Sequence, residues 1–249
     1  MASGFRIRAQ TLTETLPGRW LCLDALLDVA LEQSGIAPED RVLPLSTWDG
    51  DALHAPGETT PDDVRAAGVV YAGSAALFDA PIQLDRSFIT THNRVAFEPE
   101  MPFTDRRGSP AKKIDLARNE TRTQINTRKS FAPLIVEWRG HGDVERVADL
   151  LGELPGIGAK TAHGFGEFEI DSYYGVKADD APLCGVTDGR GRLLRPVPET
   201  LVVHAGVNRS GAALETVAPP YWDRSLGVRA AIPTCRYADG VMTLQDLIN

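Results

Sequence analysis

Four glycines fall within the eleven residues Gly156-Ile157-Gly158-Ala159-Lys160-Thr161-Ala162-His163-Gly164-Phe165-Gly166. No other segment constrains the fold of this chain as strongly. Each glycine in a helix interior costs about 1 kcal/mol relative to alanine, so a helix cannot run through them. Upstream, Val144, Val147, Ala148, Leu150, Leu151 and Leu154 fall at helical spacing after Gly142-Asp143, with Asp143 in the capping position and Pro155-Gly156 as the stop. Downstream, Glu167-Phe168-Glu169-Ile170 alternates with the period of a strand. The order is helix, glycine loop, strand.

Three chemistries compete for such a loop. A P-loop needs a glycine directly before its Lys-Thr pair and a strand in front. Here Ala159 precedes Lys160-Thr161 and a helix leads in, which excludes it. The dinucleotide fingerprint fails because no helix follows. A helix-hairpin-helix that grips duplex DNA matches residues 154–162, but its second helix would run into Gly164 and Gly166. The third reading is a polyanion cradle, in which bare glycine backbone lets phosphates approach the amides. Gly158 and Gly164 supply the backbone, Lys160 the charge, Thr161 and His163 donors, and Phe165 a support for a base. The plain structural alternative is a tight connection that needs positive φ at several positions, and the loop alone leaves both open.

Charge bears on that choice. The net charge is −8, which by itself does not mark a nucleic-acid binder. Residues 101–130, however, hold eight cations, Arg106, Arg107, Lys112, Lys113, Arg118, Arg122, Arg128 and Lys129, against Asp105, Asp115 and Glu120. The strip carries +5 and the remainder −13. Phosphate contacts are local, so an acidic body with one basic strip can hold a polyanion; a solvated basic loop is the alternative.

At roughly 150 residues per domain, 249 residues make one large domain or two small ones. With 43% hydrophobic and 24% charged residues the chain has material for a core, which excludes wholesale disorder. The longest apolar runs are too short for a membrane span, and the start, Met1-Ala2-Ser3-Gly4-Phe5-Arg6, lacks the apolar stretch of a signal peptide; a cytoplasmic protein is the expectation. Cys22, Cys184 and Cys235 are odd in number and lack CxxC spacing, which argues for reduced, mostly buried thiols and against a zinc site.

Phe5-Arg6-Ile7-Arg8-Ala9 alternates as a strand, and Leu23, Leu26, Leu27, Ala30 and Leu31 give a helix over residues 21–33 that stops at Gly35. In that helix Asp24, Asp28 and Glu32 fall at i, i+4, i+8, a spacing that reads as a solvated acidic face. Strands are expected over residues 68–78, 87–95, 131–138 and 201–204, and residues 36–60 read as an irregular connection. Two strand–helix units, each leading to another strand, predict an α+β fold with a ferredoxin-like (RRM-like) βαββαβ core over residues 1–180. That core would carry a basic insertion, a hairpin or thumb, at about residues 86–130, with Arg94 near its start. A β-rich C-terminal elaboration over residues 181–249 would pack on it.

The glycine loop resembles the signature loop of the RAMP superfamily, the repeat-associated RNA-binding proteins of CRISPR systems. Leu23-Asp24-Ala25-Leu26-Leu27-Asp28-Val29-Ala30-Leu31 is similar to the LDgLLayaL opening of several RAMP subunits, with Ala25 where that pattern has glycine. Residues 138–151, Arg195-Pro196-Val197-Pro198 and Pro219-Pro220-Tyr221-Trp222 resemble one branch, the type IV CRISPR subunit of the Cas-five group. The resemblance implies a non-catalytic subunit, with no cofactor or metal, that caps the 5′ handle of a CRISPR RNA. It also implies contact with the type IV backbone subunit, with the large subunit as a further partner. The RNA-binding residues would be Gly158, Lys160, Thr161, His163, Gly164 and Phe165 of the loop, with Arg94, Arg106, Arg107, Lys112, Lys113, Arg118, Arg122, Arg128 and Lys129 of the strip.

The competing enzyme is a guide-RNA-processing endoribonuclease of the same superfamily, which needs a base for the 2′-hydroxyl and an acid for the leaving oxygen. Of His54, His92, His141, His163 and His204, His163 in the loop and His92 near the strip are the candidates. Trp20, Tyr221 and Trp222 are candidates to face partner subunits.

Overall fold

The computed structural model describes residues 3–16, 20–59, 61–66, 68–79, 82–91, 123–132, 135–159, 161–176, 185–188, 190–202, 211–219, 221 and 223–233. Arg94, Arg106, Arg107, Lys112, Lys113, Arg118, Arg122, Lys160, His92, His204, Trp222, Cys184 and Cys235 lie outside them. The described elements run β1 (Ser3–Thr11), α1 (Leu23–Gln33), β2 (Thr47–Trp48), β3 (Leu53–His54), α2 (Pro61–Arg65), β4 (Val70–Tyr71), β5 (Leu77–Phe78), β6 (Ile82–Thr91), β7 (Thr123–Ala132), β8 (Ile135–Gly142), α3 (Val144–Gly152), β9 (Phe168–Val176), β10 (Val197–Pro198), α4 (Glu199–Val202), β11 (Ala212–Glu215) and β12 (Val228–Ala231). The protein is α+β, and the pairings β1–β8, β1–β9, β5–β8, β2–β3, β2–β4, β10–β12 and β11–β12 are all antiparallel.

The chain divides into two compact units. One comprises residues 1–82 with 131–249, the other Gln83–Ser130. In the second unit the described residues belong to β6 and β7, which pair as a two-stranded sheet. The Ser130 hydroxyl donates to the Leu84 carbonyl at 3.5 Å. Arg128 and Lys129 are positions on β7.

The first unit is organised on a four-stranded sheet in the order β5-β8-β1-β9. Alternation along β1 buries Phe5, Ile7, Ala9 and Thr11 on one face and turns Arg6, Arg8 and Gln10 to the other. Helices α1 and α3 cover the apolar face. Leu23, Leu26, Leu27, Ala30 and Leu31 of α1 and Val147, Ala148, Leu150 and Leu151 of α3 join Val136, Trp138 and Phe78 in one core. Asp143 caps α3 by accepting from the Arg146 amide. Helix α1 closes as a Schellman turn: Gly35, at φ +79°, and Ile36 donate their amides to the Glu32 and Leu31 carbonyls.

A second core gathers Trp48, Val70, Ala72, Val186, Leu193, Val197, Leu201, Val202 and Ala231 beside the sheets β3-β2-β4 and β10-β12-β11. Several expected elements came out differently. Residues 131–138 divide between the end of β7 and the start of β8, and residues 36–60, expected as irregular, hold the short strands β2 and β3. Residues 68–78 form two short strands, β4 and β5, because the intervening backbone bridges to other partners: Gly73 to Gly140 and Ala75 to Cys22. Leu201 and Val202 end the helical turn α4, which follows Pro198 and buries both side chains where a strand was expected. Among the described residues, no helix is long and apolar enough to cross a membrane.

Cys22, just before α1, is fully buried, and burial pushes its thiol pKa up to about 12. Native protein at pH 8 is therefore expected to leave Cys22 unalkylated by iodoacetamide, while denatured protein alkylates it fully. Peptide mass mapping checks this, and native labelling at Cys22 would refute the packing around it.

Candidate functional site

The glycine loop is anchored at its base by Leu154 and Ile157, both in the core. It then folds back on itself and onto the chain leaving β1. Ile157 N–H donates to the Gly166 carbonyl, Gly166 N–H to Glu14 and Ala159 N–H to Leu16, each at 2.8 Å, and Gly164 N–H to Thr161 at 2.9 Å. Gly158, Gly164 and Gly166 have φ of +89°, +78° and +72°. A Cβ on Gly158 would collide with the Leu16 carbonyl, and one on Gly166 would fall on the Ile157 carbonyl oxygen. Most of the loop's glycine freedom thus serves backbone-on-backbone packing. The expected row of bare amides is shorter than the sequence implied, because the amides of Ile157, Ala159, Gly164 and Gly166 are already bonded within the protein.

The exposed part of the loop is its tip. Gly164 is exposed with nothing near its absent Cβ, and Thr161 and Phe165 are partly buried. Thr161–His163 form a single 3-10 turn and β9 begins at Phe168. A helical hairpin would need its second helix over these residues.

The sequence reading missed a second cationic feature, on the sheet face away from the helices. The register sets Arg6 between Arg139 on β8 and Tyr174 on β9, and Arg8 between Glu137 and Ser172. A bulge at Asp171 then shifts the pairing, so that Gln10 faces Ile135 and Glu169. Arg139 Nε donates to Glu137 at 2.7 Å. Alternation in β1 was the available signal: a strand that turns two arginines to the same face.

A third feature is internal. The guanidinium of Arg195 is completely buried. It donates to the carbonyls of Tyr71 at 2.7 Å, Gly73 at 3.1 Å and Val217 at 2.8 Å, and to Asp24 Oδ2 at 3.1 Å. The Tyr221 hydroxyl, 2.8 Å from Arg195 Nη2, donates to the same Asp24 oxygen at 2.7 Å. Burial works against the Arg195 charge, but the Asp24 carboxylate more than offsets it and the pKa ends above its ordinary value. Burial pushes the Tyr221 phenol well up. This corrects one expectation. Asp24 does not belong to a solvated face, and Asp28 is largely buried beside Arg41; of the three carboxylates only Glu32 is well exposed. The Tyr221 hydroxyl is bonded inside the unit, while the residue as a whole stays partly exposed.

His141 and Ser46 meet at 2.9 Å through Nδ1 and Oγ, and burial lowers the His141 pKa. Ser46 is wholly buried, so its hydroxyl cannot meet a substrate as a nucleophile. Among the described residues no group of three His, Cys, Asp or Glu side chains is placed to hold a metal.

No family model matches the chain, and no curated protein matches it.

Proposed function

We propose that this chain is a non-catalytic RNA-binding subunit of a type IV CRISPR ribonucleoprotein, capping the 5′ handle of the guide RNA and contacting the backbone subunit. The observation that carries the reading is the sheet order β5-β8-β1-β9 with α1 and α3 on one face. Numbered by core strand, that order is second, third, first, fourth, all antiparallel, as in a ferredoxin-like βαββαβ core. The glycine loop then joins the second core helix to the fourth core strand, the position that the RAMP resemblance implies. Further support comes from the segments that carry the resemblance: Asp24, Arg195 and Tyr221 belong to three of them and meet in one buried cluster.

The chemistry is electrostatic grip without bond cleavage. Cations neutralise phosphates, and splayed bases of a single-stranded handle stack or are read at their edges. Purified protein is expected to bind single-stranded repeat RNA in preference to duplex DNA and to leave it uncut. Lys160→Ala, and charge reversal of Lys112 with Lys113, should weaken binding and flatten its log–log salt dependence by about 0.7 per lost phosphate contact. A duplex preference would favour the hairpin reading. Metal-independent cleavage lost in His163→Ala or His92→Ala would establish the endoribonuclease instead.

A further inference from the structure

The sheet of the first unit is covered unequally. Its apolar face carries α1 and α3. On its other face, the β5 end is closed where Leu77 packs against Leu194, and Glu137 is nearly buried. Toward β1 and β9 the face opens: Arg6, Arg8 and Ser172 are partly exposed, Gln10 is exposed, and Tyr174 is 45% exposed.

Arg6 and Arg8 stand out on this surface. Their Nε atoms are shielded from water and have no hydrogen-bond partner. A guanidinium offers five donors and no acceptor of its own. Both side chains nevertheless stay partly exposed, so it is the outer guanidinium nitrogens that can meet an acceptor arriving from solvent. The neighbouring carboxylates do not supply one. Glu137 accepts from Arg139, and Glu169 lies beyond the bulge beside Gln10. Asp171, at the bulge, is exposed and takes the Ser172 hydroxyl at 3.2 Å. The two arginines are two residues apart on one strand, roughly 7 Å, so they present as successive charges along a line. Tyr174 sits level with Arg6 at the edge of that line, an exposed ring beside a cation.

We infer that single-stranded RNA lies across this face, with Arg6 and Arg8 each taking a phosphate and Tyr174 stacking on a base. The inference rests on the RNA-binding reading above and gives it a surface distinct from the loop and the basic strip. Phosphate oxygens accept from the outer guanidinium nitrogens of the two arginines, and an aromatic platform beside them is tolerant of base identity.

The test uses the full chain and a labelled oligouridine, read by fluorescence anisotropy across a salt series. Arg6→Gln with Arg8→Gln is expected to lower affinity at least tenfold and to reduce the salt slope by about 1.4, two contacts' worth. Tyr174→Ala should lower affinity about tenfold with the salt slope unchanged. Arg146→Gln, on α3 at the opposite side of the sheet, should bind as the parent does. Thermal melts identify any variant that has lost its fold. If one has, Arg6→Lys with Arg8→Lys takes its place, which keeps charge but removes the fork and should bind severalfold more weakly. A parent chain that binds no RNA overturns both this inference and the functional reading. A parent that binds RNA while the double variant keeps its affinity and slope overturns this inference alone. Tighter competition by polyglutamate or duplex DNA than by unlabelled oligouridine also overturns it, in favour of an acidic protein or duplex partner.

Discussion

Asp24→Ala is expected to cost about 3–5 kcal/mol, the range for removing one partner of a buried ion pair. In a chain of this size that lowers the melting temperature by about 10 °C. The magnitude follows from geometry. Arg195 and Asp24 have no side-chain exposure at all, so the guanidinium left behind cannot recover its hydration. The pair also joins segments remote in sequence: the start of α1, the backbone at Tyr71 and Gly73, Val217 and Tyr221. Arg195→Lys is therefore no conservative change. An ammonium has three donors and cannot reproduce a planar fork that reaches several fixed oxygens. Urea denaturation of both variants checks this, and a loss below about 1 kcal/mol in Asp24→Ala would show that the pair is not buried as described.

Gly166→Ala is expected to cost at least about 3 kcal/mol, and Gly164→Ala about 1 kcal/mol, although both glycines have positive φ. The difference is space. At Gly166 the added carbon falls on the Ile157 carbonyl, whose partner amide at Ile157 already bonds Gly166 in return, so neither strand of the loop can yield without breaking that bond. At Gly164 the added carbon meets nothing, and the cost is backbone strain alone. Paired denaturation curves would settle it; equal losses at the two positions would mean that the loop relaxes freely around Gly166. The same comparison separates folding from binding, because Gly164 lies at the exposed tip and Gly166 at the packed base.

The local elements were largely legible. Phe5 and Ile7 gave β1 its period, the leucines of residues 23–31 gave α1, Asp143 gave the start of α3, and the glycines marked the break before β9. Each signal acts within a few residues, where helical or strand spacing and capping geometry operate. Residues 68–78 misread for the opposite reason. Their apolar run suited a strand, but Gly73 and Ala75 were claimed by separate partners distant in sequence. At Leu201 and Val202 the expected strand gave way to the helical turn that follows Pro198, which places both side chains in the second core; tertiary burial overrides intrinsic preference there.

The site was less legible than the fold. Glycine density pointed to the loop, yet not to which glycines serve packing and which face solvent. Spacing made Asp24 one of three equivalent carboxylates; only Arg195, 171 positions away, distinguished it. Arg6 and Arg8 were visible merely as the polar half of an alternation until β8 and β9 set Arg139 and Tyr174 beside Arg6. What the sequence alone determined was periodicity, punctuation and the distribution of charge, since these depend on neighbours along the chain. Which charges are buried in pairs and which are left without acceptors on an open face was decided by the tertiary structure, because burial and pairing are properties of residues brought together from far apart.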